Sequence, residues 1–310
     1  MVRERNEAVV SLARHLGERI VLPVFRRVRL LRELATYVEN NVGANGYGAL
    51  KEQFIRNGRN SRWDETVRRE LVDTFAHIHR HVEIHSSPAD ALSMAEALLS
   101  STAEGAMIEC GCFAGGTTAK LSILARLLGK SLVVFDSFEG LPMTSTYDAV
   151  DYHSRFTRTF RWEPGACNAS LERTRSAVEK YGDISVCTFK KGWFSDTLTD
   201  ENLPAQIGFA YTDVVLPSLA RDCFRALWPR LSDGAVYFSR DVAFTKVLQA
   251  LLDEGLWRDV LHDFPPILFG AGYGMRDASP HLGFMVKGRP LSAEQIAGLM
   301  IAKSADLPPS

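Results

Sequence analysis

A glycine-rich turn between two short apolar runs constrains the fold of this chain more than any other feature. The runs, Ala106–Cys110 and 131–135, have the length of buried strands, and apolar side chains recur at helical spacing between them. The glycines that open this helix are Gly111, Gly115 and Gly116. Because glycine gives a tight turn its backbone freedom, we predict a strand–turn–helix–strand unit whose loop binds a polar or charged ligand.

Two acids at the ends of these predicted strands narrow the choice of ligand. Asp136 follows Glu109 by 27 positions, near the offset of roughly 20 residues at which an acid accepts hydrogen bonds from a ribose. Glu109 begins an E-x-G-x-x-x-G-G pattern, not G-x-G-x-x-G. An acid there would repel a pyrophosphate and attract an ammonium group. S-adenosyl-L-methionine has an ammonium group, a ribose and no phosphate, so we predict it as the cofactor. A turn without a ligand is the alternative.

The composition excludes several classes of protein. The 310 residues suffice for one large domain with an accessory segment. A formal charge of −1 argues against nucleic acid as a partner, since phosphate binding needs a basic surface. Five cysteines without a C-x-x-C pair predict reduced thiols, and no apolar run approaches the roughly 20 residues of a membrane span. We therefore expect a cytoplasmic protein with no membrane partner.

The pattern of strands and helices divides the chain into three parts. Residues 1–85 are predicted to be helical and to act as a lid or a homodimer contact. Residues 86–290 are predicted to form the S-adenosylmethionine-binding domain, and residues 291–310 a C-terminal helix and tail. Seven apolar runs predict an α/β, Rossmann-like fold: a mostly parallel seven-stranded sheet with helices on both faces and an N-terminal helical extension. Its edge would be an antiparallel pair, 267–269 and 282–286.

Five polar or aromatic residues follow the predicted strands at the carboxyl ends, where open parallel sheets bind ligands. They are Glu109, Asp136, Trp193, Asp213 and Arg240. The polar segment 143–169 is long enough to cover that edge. Aromatic rings beside a strand end suit a planar purine, although Trp193 and Phe194 as plain core residues are the alternative.

Five segments of this region resemble the macrocin O-methyltransferase family, bacterial enzymes that methylate sugar hydroxyl groups during antibiotic maturation. The segments are IECGCFAGGTT, VVFDSFEGLP, KKGWFSDTL, FAYTDVVLPSLARD and LWPRLSDGAVYF, within roughly residues 85–290. The resemblance implies a class I methyltransferase fold, S-adenosylmethionine as cofactor, and a small sugar-like or other natural-product acceptor.

The resemblance also assigns residues to parts of the cofactor. Glu109 and the loop 111–117 would hold the methionine part, and Asp136 the ribose. The adenine would lie against three residues: Trp193, Phe194 and Asp196. The complete predicted set is Glu109, Gly111, Phe113, Gly115, Gly116, Thr117, Asp136, Ser137, Phe138, Gly192, Trp193, Phe194 and Asp196.

The chain departs from the family where magnesium would bind. Family members use an acid after the fourth strand, a second acid two residues later, and an acid pair after the fifth strand. Here Asp213 is the first acid, but Val215 replaces the second and Ser239–Arg240 the pair, with Asp241 one residue further on. Magnesium needs hard oxygen ligands, and a guanidinium would repel it. We therefore expect no magnesium; if the ion binds, Asp213 and Asp241 would be its ligands.

Four residues are candidates for catalysis: Asp213, Arg240, His153 and Asp241. Arg240 would supply the positive charge that magnesium supplies elsewhere, orienting an acidic substrate or stabilising a forming alkoxide. Asp213 or His153 would then take the proton. The alternative is that Arg240 pairs with Asp213 and only joins the strand ends.

The sequence thus predicts a methyltransferase that acts on an oxygen of a small natural-product acceptor without magnesium. One alternative is metal-independent methylation of nitrogen or carbon. Another is a protein that keeps the fold but no longer methylates, and serves as a binding partner or catalyses a rearrangement.

Overall fold

The structure is a computed structural model that describes residues 47–148, 162–270 and 281–288. Apart from 47–49, these residues belong to the unit Leu50–Ser310. The helices predicted before residue 47, the candidate base His153 and the predicted C-terminal segment lie outside the described residues, and the three-part division of the chain stays a prediction.

The sheet has the predicted α/β architecture. Its strands run in the order β3-β2-β1-β4-β5-β6, with the first five parallel and β6 antiparallel to β5. The strands are β1 (Ala106–Cys110), β2 (Leu132–Asp136), β3 (Cys187–Lys191), β4 (Ile207–Thr212), β5 (Leu231–Ser239) and β6 (Gly283–Val286). Met107 and Ile108 point to opposite faces and are both fully buried, as expected for a parallel sheet covered on both sides. The prediction of a Rossmann-like, mostly parallel α/β sheet is confirmed.

The described part of the sheet has six strands, where the sequence predicted seven. The segment 267–269 contributes one isolated bridge, in which Phe269 and Phe284 exchange backbone hydrogen bonds of 3.0 and 3.1 Å. Pro265 and Pro266 come just before it and have no N–H to donate. The ladder therefore cannot extend past Ile267 in that direction.

Helices surround the sheet in the described residues. They are α1 (Glu65–His81), α2 (Pro88–Ser100), α3 (Gly116–Leu128), α4 (Leu171–Tyr181), α5 (Phe194–Thr197), α6 (Pro217–Leu227) and α7 (Thr245–Leu251), and residues 47–56 are also helical. Local signals set several of their starts: Asp64 accepts two backbone N–H groups at the start of α1, and Ser87 forms a capping box with Asp90 at the start of α2. In the parts of the chain that the structure describes, no helix is long and apolar enough to cross a membrane.

Helix α6 packs an apolar face against one side of the sheet and supports the ends of β4 and β5. The ring of Phe224 lies 4.9 Å from that of Tyr237 on β5 and 5.0 Å from that of Trp228. Both Phe224 and Trp228 are buried, and burial of one such ring stabilises the fold by about 1.5–3 kcal/mol. The loops that leave β4 and β5 therefore start from a rigid base.

A buried ion pair joins α1 to α2. Arg68 donates to Glu96 and also to the carbonyl of Phe54, at 2.9 Å. Both charged side chains are almost fully buried, and removing one partner of such a pair is strongly destabilising. The pair fixes the two helices between which residues 82–87 run; we call this segment the strap.

Candidate functional site

A cleft lies beyond the carboxyl ends of β1, β2, β3 and β4, where the sequence placed the site. Its empty volume is about 820 Å³, part of which is open to solvent. Ten of the predicted residues line it: Gly111, Phe113, Gly116, Thr117, Asp136, Ser137, Gly192, Trp193, Phe194 and Asp213. Glu109, Gly115, Phe138, Asp196, Arg240 and Asp241 lie outside its wall.

The glycine turn after β1 is required by close approaches. Gly111 has φ +84°, and a Cβ there would lie 2.2 Å from the carbonyl oxygen of Asp213. A Cβ on Gly116 would lie 2.1 Å from Cγ1 of Ile84 in the strap. Only glycine lets the turn lie between the end of β4 and the strap.

Asp136 organises the same turn from the end of β2. Its Oδ2 accepts the backbone N–H groups of Cys112, at 2.7 Å, and Phe113, at 3.3 Å, while its Oδ1 accepts that of Phe138, at 2.8 Å. A carboxylate has about four lone-pair positions, so Asp136 can accept at least one further hydrogen bond from the cleft. This capacity fits the predicted ribose contact.

Glu109 lies on β1, two residues before Gly111, and does not line the cleft. Its side chain is fully buried within β1, and neither carboxyl oxygen has a hydrogen-bond partner among the described residues. Burial raises the pKa of Glu109 to about 8; the nearby Thr118 hydroxyl opposes this shift, and the charges of Asp213 and Asp136 add to it. A cation arriving above this carboxyl group would therefore meet a group that can ionise in response.

Only some residues of the segment predicted to bind adenine line the cleft. Gly192 has φ +143°, and Trp193, which precedes α5, is half-buried at the cleft. Phe194 also lines the cleft, but it is buried and packs in the core beneath α6. Asp196 is exposed and accepts a hydrogen bond from Ser195. The geometry therefore places Trp193 at the cleft and makes Phe194 partly a core residue.

Asp213 brings a carboxylate into the cleft beside the glycine turn. Its Oδ2 accepts the hydroxyl of Tyr211 at 3.2 Å, and its Oδ1 lies 3.6 Å from Nη1 of Arg240. Nη2 of Arg240 donates to the carbonyl of His85 at 2.6 Å. Arg240 thus forms the ion pair that the sequence left open as an alternative, and its side chain does not line the cleft.

The predicted magnesium position does not fit that ion. Oδ2 of Asp241 accepts the backbone N–H groups of Val214 and Val215, at 3.1 and 2.9 Å. Burial, and then the charge of Asp213, raise the pKa of Asp241 to about 7. Val215 offers an apolar side chain where the family has an acid, and Arg240 places a cation beside Asp213. In the described residues, no group of three or more His, Cys, Asp or Glu could hold a metal ion.

The polar segment 143–169 reaches the cleft near its C-terminal end. Cys167 lines the cleft, and Thr144 donates to the carbonyl of Trp162 at 3.3 Å, which joins the two ends. Oδ1 of Asp148 accepts the backbone N–H of Ser218 in the first turn of α6. This placement is consistent with the predicted covering role.

Sequence reasoning missed the strap and the apolar wall of the cleft. The missed lining residues are Glu83, Ile84, His85, Gly140, Leu141, Pro142, Val214, Val215 and Leu219. Helix α1 ends at His81, and the backbone at Val82 is extended. The sequence signal that could have located the strap was the break between two helices together with the S-S-P sequence at the start of α2.

Comparison with known proteins gives one matching family and several similar solved structures. The sequence model of the macrocin O-methyltransferase family (TylF) matches residues 57–259. No curated protein matches the chain. Similar solved structures include the O-methyltransferase NovP, with 17% identity, 63% of this chain and 77% of that chain covered, and a TM-score of 0.48. The calicheamicin methyltransferase CalS11 has 16% identity, 77% and 92% coverage, and a TM-score of 0.49.

Proposed function

This chain belongs to the macrocin O-methyltransferase family, and we propose that it methylates a hydroxyl group of a small, sugar-like natural product without magnesium. Membership makes it an S-adenosylmethionine-dependent methyltransferase. The acceptor, a role in antibiotic biosynthesis, a homodimer and a cytoplasmic location are parts of the proposal.

The observation that carries the cofactor assignment is the pairing of Asp136 with the glycine turn inside one cleft. Asp136 has acceptor capacity left for the hydroxyl groups of a ribose, and Trp193 supplies an aromatic surface for a purine. Glu109 lies buried beneath the turn with two unpartnered oxygens, which suits a nearby ammonium group. The residues present therefore fit S-adenosylmethionine.

When bound, S-adenosylmethionine supplies an electrophilic methyl group that leaves a neutral thioether behind. The chain's own contribution is alignment and the exclusion of water, because methyl transfer is an in-line displacement. Leu141, Val214 and Leu219 give the cleft an apolar wall, which would desolvate the acceptor beside Asp213.

Asp213 is the residue that we assign to the proton. The Asp213 carboxylate would take the proton that the acceptor hydroxyl group loses when its oxygen is methylated. The hydroxyl of Tyr211 and the guanidinium of Arg240 orient that carboxylate. No step is assigned to magnesium, because Val215 is not an acid, Arg240 places a cation beside Asp213, and Oδ2 of Asp241 already accepts two backbone N–H groups.

Calorimetric titration of S-adenosylhomocysteine into the purified protein, with magnesium and with EDTA, tests this proposal. We expect the same affinity under both conditions. Absence of binding under both would contradict the assignment of the cofactor. Turnover of labelled S-adenosylmethionine with a panel of glycosides, amines and carbon acids then separates O-methylation from the N-, C- and non-methylating alternatives, and loss of turnover in EDTA would contradict metal independence.

A further inference from the structure

The strap lies directly on the glycine turn that we assign to the cofactor. Ile84 packs against Gly116, the ring of His85 stacks on that of Phe113 at 4.4 Å, and Oγ of Ser86 lies 3.0 Å from Oγ1 of Thr117. Glu83, Ile84 and His85 also line the cleft. The position of the strap therefore sets the shape of the turn and of this side of the cleft.

Arg240 connects the strap to the opposite side of the cleft. It stands just after β5, and its guanidinium reaches Asp213 on one side and the carbonyl of His85 on the other, at 3.6 and 2.6 Å. Its side chain is 17% exposed, so the charge is largely removed from water; Asp213 and the His85 carbonyl are its direct partners, and the charges of Asp241 and Asp90 also act on it. A compact ammonium group on a lysine could not span both acceptors with the same geometry.

We infer that Arg240 is a positioning residue: its guanidinium holds the strap, through the main chain of His85, in the position that binds the cofactor. This inference rests on the proposed function and assigns Arg240 an indirect role in place of contact with the acceptor. The same guanidinium orients Asp213. The ordering of the strap beside the cofactor is therefore coupled to the Arg240–Asp213 ion pair beside the acceptor.

The test compares Arg240→Ala and Arg240→Lys with Arg230→Ala. Arg230 is a matched control because it also contacts one carboxylate, that of Asp200, and one main-chain carbonyl, that of Ala226, outside the cleft. Two readouts are measured: hydrogen exchange of the strap amides in the free protein, and calorimetric affinity for S-adenosylhomocysteine with and without added guanidinium ion at a non-denaturing concentration.

We expect Arg240→Ala to speed exchange at residues 83–86 and to weaken S-adenosylhomocysteine binding by about tenfold or more, the effect of losing one charged hydrogen bond. Guanidinium ion should restore part of the affinity, Arg240→Lys should lie between Arg240→Ala and wild type, and Arg230→Ala should match wild type. If Arg240→Ala does not fold, the Lys variant decides the question by the same readouts.

The inference would be overturned if the Arg240 variants had the same strap exchange rates and the same affinity for S-adenosylhomocysteine as wild type. It would also be overturned if a folded Arg240→Ala protein lost affinity and guanidinium ion did not restore any of it. A wild-type protein that does not bind S-adenosylhomocysteine would contradict the proposed function instead. Strap exchange, which needs no ligand, would then still decide whether Arg240 positions the strap.

Discussion

The carboxylate of Asp136 accepts the backbone N–H of Cys112 across 2.7 Å, so the end of β2 fixes the turn that follows β1. The same side chain also accepts from Phe113 and Phe138. An acid predicted as a ligand contact is therefore also the structural centre of the site.

Asp136→Asn should weaken both stability and cofactor binding. An amide nitrogen cannot accept a hydrogen bond, so at least one of the three backbone N–H groups loses its partner, at a cost of about 1–3 kcal/mol. Urea denaturation and titration of S-adenosylhomocysteine measure the two effects. Asp64→Asn is the control, because a single carboxylate oxygen of Asp64 accepts both backbone N–H groups at the start of α1. The side-chain carbonyl oxygen of an asparagine can replace it. Equal behaviour of the two variants would contradict the role of Asp136.

Gly111→Ala should destabilise the protein much more than Gly129→Ala. Both glycines have positive φ, +84° and +66°, but a Cβ at 111 meets the Asp213 carbonyl at 2.2 Å while one at 129 meets nothing within 4 Å. Gly129→Ala should lower stability only by the cost of placing alanine in a left-handed backbone conformation, about 1–2 kcal/mol. Gly111→Ala adds to this a steric overlap with the chain at the end of β4. Denaturation midpoints of the two variants measure the difference, and similar midpoints would show that β1 and β4 can separate at little cost.

Much of the fold was predictable because its signals are local. Apolar runs marked β1, β2 and β4, and the E-x-G-x-x-x-G-G pattern with Asp136 located the cleft. The strap was not predictable, since its contact with Gly116 depends on where α1 and α2 pack, and their buried Arg68–Glu96 pair joins residues that are distant in sequence.

The substituted magnesium position shows a second limit of sequence reasoning. The residue types there can be read from the sequence, but the sequence left their partners open. Asp241 could serve equally well as a metal ligand or as an acceptor for the backbone of Val214 and Val215, and only the path of the chain after β4 decides between them. For the same reason, the sequence could not show whether the Arg240 side chain extends into the cleft or toward Asp213 and the strap.

Val215→Gly should cost less stability than Val214→Gly. Val215 has φ +54°, a backbone conformation that a β-branched residue rarely adopts, so glycine relieves strain of about 1–3 kcal/mol there. Val214 is 3% exposed, and its removal forfeits roughly 1.5–3 kcal/mol of burial without such relief. Denaturant titration of both variants is the measurement, and a larger loss for Val215→Gly would show that its backbone is not strained.

Glu109→Gln should remove a pH dependence of stability between about pH 5 and pH 8. Burial raises the pKa of Glu109 to about 8 in the folded protein, whereas an unfolded glutamate titrates near 4.3. Between these values the folded state keeps a proton that the unfolded state has lost, so the free energy of unfolding falls as pH rises. Urea midpoints at several pH values should therefore fall less steeply for Glu109→Gln than for wild type or for the exposed Glu104→Gln. Parallel curves would show that Glu109 is already ionised in the fold.

The same buried carboxyl group predicts proton release when the cofactor product binds near pH 7. The ammonium group that we assign above Glu109 favours its ionised form, so binding should expel up to about one proton. Titration of S-adenosylhomocysteine in two buffers with different ionisation enthalpies measures this number. Glu109→Gln should bind without the buffer-dependent heat, because glutamine has no proton to lose, while Glu104→Gln should behave as wild type. Heats that do not depend on the buffer in wild type would place the ammonium group away from Glu109.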